Sequence, residues 1–306
     1  MIDINLEKRG ELMQQYVYAN EGRVLLREAT EDDISKIYEM YQDTTPKLWW
    51  KDEDLNKFHF ELIKEVNGRM FVAVLDDAVI GYAELILPES TAEHVYLVRL
   101  EIHDDFRRRK FGIELVRYTA IIMKGLGYEG YITWPNTDKS KGLYKKVGLK
   151  EIKEEPQLSV KIVDQRENVK VEKIGELTIS ERPQDLNVVV GCPWARDYTW
   201  LKSFKVGEKE LLNYVGPYAH QVKVDDFEVV VLFNGRSVYI YAEDQQLPAQ
   251  TVEKLLVYAS NLALDNDVEK LHINIEESIW SKIDLSDIWE IEKEEERLEM
   301  KMDFDR

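Results

Sequence analysis

The feature that most constrains this chain is a strand, a basic turn and a helix in direct succession between residues 95 and 125. VYLVRLEI is rich in β-branched and aromatic residues and reads as a strand. HDDFRRRKFG follows it, and then Leu115, Tyr118 and Ile122 recur at helical spacing toward Gly125 and Gly127, which suit a helix end. A helix N-terminus gathers unpaired backbone N–H groups and about half a positive charge, so a strand-to-helix turn is a ready anion site. Glycine in it permits close approach, and arginine or lysine adds side-chain cations that pair with phosphate oxygens.

That turn stands out against its own chain. With 59 acidic and 41 basic residues the formal net charge is −18, which excludes general attraction to nucleic acid or to anionic membrane. Arg107, Arg108, Arg109 and Lys110 are a local exception. The single cysteine, Cys192, rules out an internal disulfide and any cysteine-cluster metal site, and the histidines lack metal-ligand spacing, so no metal is expected. No stretch approaches the ~18 to 20 apolar residues of a membrane span, and MIDINLEKRG lacks the apolar core of a secretory signal, which makes the cytoplasm the expected compartment. At 306 residues two domains are the natural expectation.

Around the turn the pattern is mixed α/β. Residues 4–19 place Leu12, Met13, Tyr16 and Val17 at helical spacing, which predicts an N-terminal helical extension over 1–22. A strand over Arg23–Arg27 follows, then Thr30 and Asp33 as a capping pair before a helix with Ile34, Ile37, Tyr38 and Tyr41 on one face. A second helix from about Asp54 turns Leu55, Phe58, Leu62 and Ile63 inward, and MFVAVLDDAVIGYAELIL reads as a hairpin around Asp76 and Asp77. Beyond the central helix come the strand GYITW, a short helix DKSKGLYKKVGL stopped at Gly148, and EIKEEPQLSVKIV, which reads as a closing hairpin.

The turn resembles the cofactor motif of the GNAT superfamily of acyl-CoA-dependent N-acetyltransferases, R/Q-x-x-G-x-G/A, with Arg107 at the leading position, Gly112 at the last and Lys110 where the first glycine stands. The resemblance covers roughly residues 23–162. LREATEDDISKIYEMY looks like the family's first strand and helix, and Asn136 with GLYKKVGL (142–149) looks like its second motif. It implies a GNAT-like α/β fold with a mixed sheet, a catalytic domain over 23–163, and acetyl-CoA as co-substrate. The cofactor would meet Arg107, Arg108, Arg109, Lys110, Phe111, Gly112, Ile113 and Asn136, while the backbone of Leu100 to Ile102 would hold the acyl carbonyl and pantetheine arm.

Acyl transfer to an amine needs a neutral amine, an oxyanion stabiliser and a proton for the leaving thiolate. The resemblance gives the last task to Tyr144. For the base, Glu84 on the third strand, Glu101 on the fourth and His103 at its end are the candidates, and the sequence leaves the choice between them open; Glu101 alternates to the face opposite Leu100 and Ile102. Trp49 and Trp50, beside Asp52, Glu53 and Asp54, are candidate walls of a pocket for a cationic amine on a small molecule or peptide. The competing reading is a non-catalytic CoA-binding sensor or interaction protein.

Residues 164–306 carry an echo of the first half at an offset near 140. LVRYTAIIM (115–123) answers LLVYASNLA (255–263), YIT answers HIN, LYKKVGL answers IWSKIDL, and EIKEEPQLSVKI answers EIEKEEERLEMKM. Where the first half has FRRRKFG the second has DQQLPAQ, without glycine or cation, and Trp280 stands where Tyr144 stood. This predicts a second, degenerate GNAT-like half without CoA, the competing view being an unrelated α+β accessory domain; covering the first sheet, completing the acceptor pocket and homodimerisation are its candidate roles.

Overall fold

The computed structural model describes residues 7–9, 12–19, 22–41, 53–167, 169–208, 215–244 and 246–304. Trp49, Trp50 and Asp52 lie outside the described residues. The chain divides into two compact units, residues 1–153 with 299–306, and residues 154–298.

Unit 1 is a twisted sheet with helices on both faces. Its strands are β1 (Glu7–Arg9), β2 (Leu12–Ala19) and β3 (Gly22–Glu28), followed by α1 (Asp33–Glu39) and α2 (Glu53–Glu65). Then come β4 (Gly68–Leu75), β5 (Ala78–Ile86), β6 (His94–Ile102), α3 (Phe111–Gly125), β7 (Gly130–Thr133) and α4 (Asp138–Val147), before the chain leaves along β8 (Lys150–Ile162). Strands β1 to β6 are neighbours in order and antiparallel, and β7 joins β6 in parallel. Asp76 and Asp77 both take positive φ in the β4–β5 turn, the conformation a tight hairpin with right-handed strand twist requires. Phe71 of β4 meets Tyr118 of α3 edge to face on one side of the sheet, while α1 and α2 pack on the other.

Two predicted elements differ. The expected N-terminal helix is strand: within β2, Gln15 and Val17 are buried while Tyr16 and Tyr18 face outward, an alternation with period two. Pairs of adjacent apolar residues, such as Leu12–Met13 and Tyr16–Val17, satisfy helical and strand periods alike, and pairing with β3 decides. EIKEEPQLSVKIV is not a hairpin but one 13-residue strand, β8. Pro156 brings no glycine or asparagine with it, so nothing there makes a tight turn.

After its first long helix unit 2 repeats the strand, strand, strand, helix, strand, helix, strand succession that unit 1 shows from β4 to β8. It runs β9 (Glu172–Glu176), β10 (Asn187–Val190), α5 (Arg196–Glu208), β11 (Tyr218–Val224), β12 (Phe227–Phe233), β13 (Val238–Ala242), α6 (Ala249–Leu264), β14 (Lys270–Asn274), α7 (Glu277–Trp280) and β15 (Trp289–Asp303). The echoed segments land on matching elements: Leu115 in α3 and Leu255 in α6 are both fully buried, and Tyr144 in α4 answers Trp280 in α7. Its core joins Val231, Phe233 and Ile240 of the sheet to Leu255, Leu256 and Ala259 of α6.

The units begin and end differently from the expected 23–163 and 164–306. The change from one to the other falls inside β8, whose residues Gln157–Lys161 pair with β14, and the chain returns at the end of β15, where Met300–Asp303 pair antiparallel with β7. Both long strands are continuous, so neither offers a linker at which a boundary is readable. Among the described residues no helix is long and apolar enough to cross a membrane, and no group of three or more His, Cys, Asp or Glu side chains is disposed to hold a metal ion.

Candidate active site

The site is built where β6 and β7 part. The two strands pair only from His94 to Tyr96 against Gly130 to Ile132, and Thr133 Oγ1 then donates to Leu97 O at 2.8 Å, closing the vertex. Beyond it β6 runs on to Ile102 with no strand among the described residues against its β7 side. A bulge directs this divergence. Glu84 faces Arg99 but Leu85 faces Leu97, so Val98 is an extra residue on β6, and an unpaired residue bends its strand.

The basic turn caps that gap. A short 3-10 turn over Asp104–Phe106 follows β6, with His103 Nδ1 accepting from Asp105 N–H. That engagement gives His103 the role of a turn residue. Lys110 sits at the α3 N-cap with φ 71° and ψ 0°, the left-handed conformation that glycine adopts without strain. The lysine therefore preserves the backbone shape expected of glycine at that position, at a cost of about 1 kcal/mol. The first helical bond is Glu114 N–H to Lys110 O, leaving the N–H groups of Phe111, Gly112 and Ile113 without partners inside the helix. Gly112 is buried, and a Cβ there would stand 3.0 Å from Leu143 Cδ1, 3.4 Å from Ile102 Cγ1 and 3.6 Å from Leu100 Cδ2. Leu100 and Ile102, both partly exposed, thus reach the helix opening from the gap.

The four cations do not act alike. Arg107 is taken up by the turn itself: its Nε donates to Ile102 O at 3.0 Å and its Nη1 meets Asp104 Oδ1 at 2.5 Å. Arg109 stacks over the Phe106 ring at 5.5 Å. Arg108 and Lys110 are exposed beside the helix opening, and Arg108 is itself left-handed, φ 64°. Asn136 is exposed in the β7–α4 connection.

Tyr144 lies at the vertex. Helix α4 is fixed at both ends, by the reciprocal Thr137–Ser140 capping box and by Gly148 at φ 110°. Tyr144 is 5% exposed, and burial pushes its hydroxyl up to about 12, a hydrogen bond with Thr133 acting the other way. It is therefore a neutral donor at physiological pH, joined through Thr133 to Leu97 of β6.

On the opposite face of β5 and β6 sits a buried polar cluster that sequence reasoning found only in part. Glu84 and Arg99 face each other in register, as do Tyr82 and Glu101. Glu84 is fully buried, with Oε1 3.0 Å from His59 Nε2 and Oε2 3.6 Å from Arg99 Nε. Tyr41 and Tyr82 share a hydroxyl–hydroxyl bond of 2.9 Å, and burial raises both phenols well above their usual value. Both Glu84 oxygens are thus engaged, whereas Glu101 is partly exposed on the same face. His59 was the missed member; its place on α2 three residues after Asn56, also fully buried, was the available signal.

Residues 34–149 match the model of the acetyltransferase (GNAT) family. No curated protein resembles the chain in sequence closely enough to count as a relative. Among solved structures, a Pyrococcus horikoshii protein assigned as an acetyltransferase superposes with a TM-score of 0.56 at 15% identity, covering 98% of this chain and 94% of its own. A GCN5-related N-acetyltransferase from Kribbella flavida gives 0.56 at 13%, over 91% of this chain and 70% of that one. One from Anabaena variabilis gives 0.56 at 10%, over 90% and 72%. The turn, the parted strands and the vertex tyrosine all fall within or beside the matched segment, and the chain carries, over residues 34–149, a domain of the GNAT acetyltransferase family in a GNAT fold.

Proposed function

We propose that unit 1 transfers an acetyl or related short acyl group from acyl-CoA to an amine on a small molecule or peptide. One observation carries the reading. The unpaired stretch of β6, the helix opening at Gly112 and the neutral hydroxyl of Tyr144 converge on one gap. Gly112 lets the helix opening sit close to β6, because a Cβ there would crowd Leu143 at 3.0 Å and Ile102 at 3.4 Å.

In this reading the N–H groups of Phe111, Gly112 and Ile113, with Arg108 and Lys110, take the pyrophosphate, and Arg107 holds the turn to β6. The open edge of β6 takes the pantetheine amides at Leu100, whose carbonyl and N–H point away from β5, and the Ile102 N–H polarises the thioester carbonyl, the Ile102 carbonyl being held by Arg107. The neutral amine attacks the carbonyl carbon, the C–S bond breaks, and the departing thiolate receives the Tyr144 proton. The amine's surplus proton passes to Glu101, directly or through water. Glu84, held between His59 and Arg99, positions that face of the sheet.

Turnover tests this. Purified protein incubated with acetyl-CoA and a panel of primary amines should release free thiol in an amine-dependent manner, and Glu101→Gln should lower kcat most at low pH, where unassisted amine deprotonation is scarcest. A second reading, a CoA-binding protein without turnover, draws on the full engagement of Glu84. CoA binding with no thiol release across the panel would favour it.

A further inference from the structure

Unit 2 has the same parting of strands as unit 1, and it is filled. Strand β13 lies beside β14 at its start, where Ser237 bridges to His272 in parallel and His272 N–H donates to Arg236 O at 2.8 Å. The two then separate, as β6 and β7 do. Into the space runs β10, antiparallel to β13 with Asn187 opposite Ala242, Val188 opposite Tyr241 and Val190 opposite Ile240. Its end also reaches the other wall: Val190 bridges to Ile275 and Gly191 N–H donates to Asn274 O at 2.9 Å. Val190 is fully buried, and Val188 and Val189 are no more than 9% exposed.

A strand edge asks only for amides at strand spacing, and a peptide segment supplies them as well as a pantetheine arm with its two amides does. Residues around β10 are shaped for this occupancy. Gly191 has φ +126°, and a Cβ there would lie 2.5 Å from Tyr239 Cδ1, so the chain leaves the gap through a space only glycine fits. In chain order β10 precedes the unit's first long helix, α5, at the stage where unit 1 passes from β3 directly into α1.

We infer that β10 is a resident internal ligand: it occupies the gap of unit 2 that corresponds to the pantetheine gap of unit 1, closes that unit to acyl-CoA, and leaves one acyl-CoA site per chain. The inference rests on the function proposed for unit 1 only for the identity of the ligand displaced. The closure does not depend on the loss of the basic turn between β13 and α6, which is a separate deficit.

Hydrogen exchange on the full chain, with and without saturating CoA, tests both parts. The amides of residues 187–190 should exchange at least 100-fold more slowly than a loop in the free protein and be unchanged by CoA, while the amides of Leu100 and Ile102, which point away from β5, should slow when CoA is added. A variant with FRRRKFG grafted in place of residues 246–252, the register in which Leu255 answers Leu115, should still bind one CoA per chain by calorimetry. Loop-like exchange at 187–190, a CoA-dependent change there, or a second CoA in the grafted variant would overturn the inference. Absence of CoA binding to the unmodified protein would instead sink the function proposed for unit 1, and the exchange of 187–190 in the free protein would still decide whether the gap is filled.

Discussion

The two units share one succession, β4 to β8 in the first and β11 to β15 in the second, and part ways at the gap beside β6 and β13. In unit 1, β6 is bulged at Val98, parts from β7 beyond Tyr96, and ends in a left-handed turn onto a helix opened by Gly112. In unit 2, β13 keeps unbroken register with β12 from Val238 to Ala242, carries β10 on its other side, and leads to a helix capped by Pro248. Three residues before Leu115 stands Gly112; three before Leu255 stands Val252, fully buried. In unit 1 the sheet is left open at that gap, and in unit 2 it is completed by β10 while the core is kept.

Tyr144→Phe should affect the comparison most. Removing the donor should lower kcat by about 10² to 10⁴-fold with little change in KM for acetyl-CoA, whereas Trp280→Phe in α7 should leave both untouched. With the Tyr144 hydroxyl at about 12, kcat of the unmodified protein should show no alkaline fall from this group below about pH 10.

Alkali should separate the units next. Burial raises Tyr41, Tyr82, Tyr118, Tyr131 and Tyr144 in unit 1 and Tyr239, Tyr241 and Tyr258 in unit 2. A phenol raised in the folded state ionises first in the unfolded chain, so its contribution is complete below pH ~10 and lost as pH climbs through the folded value. For Tyr144 that window ends near 12 and is worth about 2 to 3 kcal/mol. Unfolding followed by tyrosinate absorbance and by exchange should find unit 1 losing protection first between about pH 10 and 12; simultaneous loss would erase the distinction.

Gly112→Val gives unit 1 the residue of unit 2. Overpacking against Leu143 and Ile102 should lower stability by about 1 to 3 kcal/mol in urea unfolding, and the displaced helix opening should weaken CoA binding about 10-fold in calorimetry. The smallest change is Lys110→Gly. It relieves a left-handed lysine, raising stability by about 1 kcal/mol, and removes a cation, so CoA affinity should fall and its salt dependence flatten. A gain in affinity would mean that backbone approach outweighs charge at this turn.

What was legible from sequence was local. The basic turn shows itself by its neighbours: a β-branched strand before it, an amphipathic helix after it, and a net acidic chain around it. Tyr144 was readable because its helix carries both its cap and its glycine stop. The echo was readable because Leu255 and Tyr258 follow Leu115 and Tyr118 at an offset of 140, with Trp280 answering Tyr144 at 136. What was not legible depends on partners far away in sequence. His59 and Glu84 come from a helix and a strand that meet only in the fold. NVVV at 187–190 reads as any short strand, and that it lies between β13 and β14 follows from tertiary pairing alone. The second residue group after β6 was half legible: Arg107 was visible as a cation, but its commitment to Asp104 depends on the 3-10 turn bringing the two together.

The pairing of Met300–Asp303 with β7 also makes a demand on the order in which the molecule forms. Those residues are joined to β7 through the whole of unit 2, and closing a flexible loop of about 170 residues costs roughly 4 to 5 kcal/mol in chain entropy. If unit 2 collapses first, its own compactness shortens the effective loop and removes most of that cost. Unit 2 would then act as an internal template, whose folding determines when the sheet of unit 1 receives its final strand, and whose local melting would be felt at Gly130, where Met302 O approaches so closely that a Cβ would stand 1.9 Å from it.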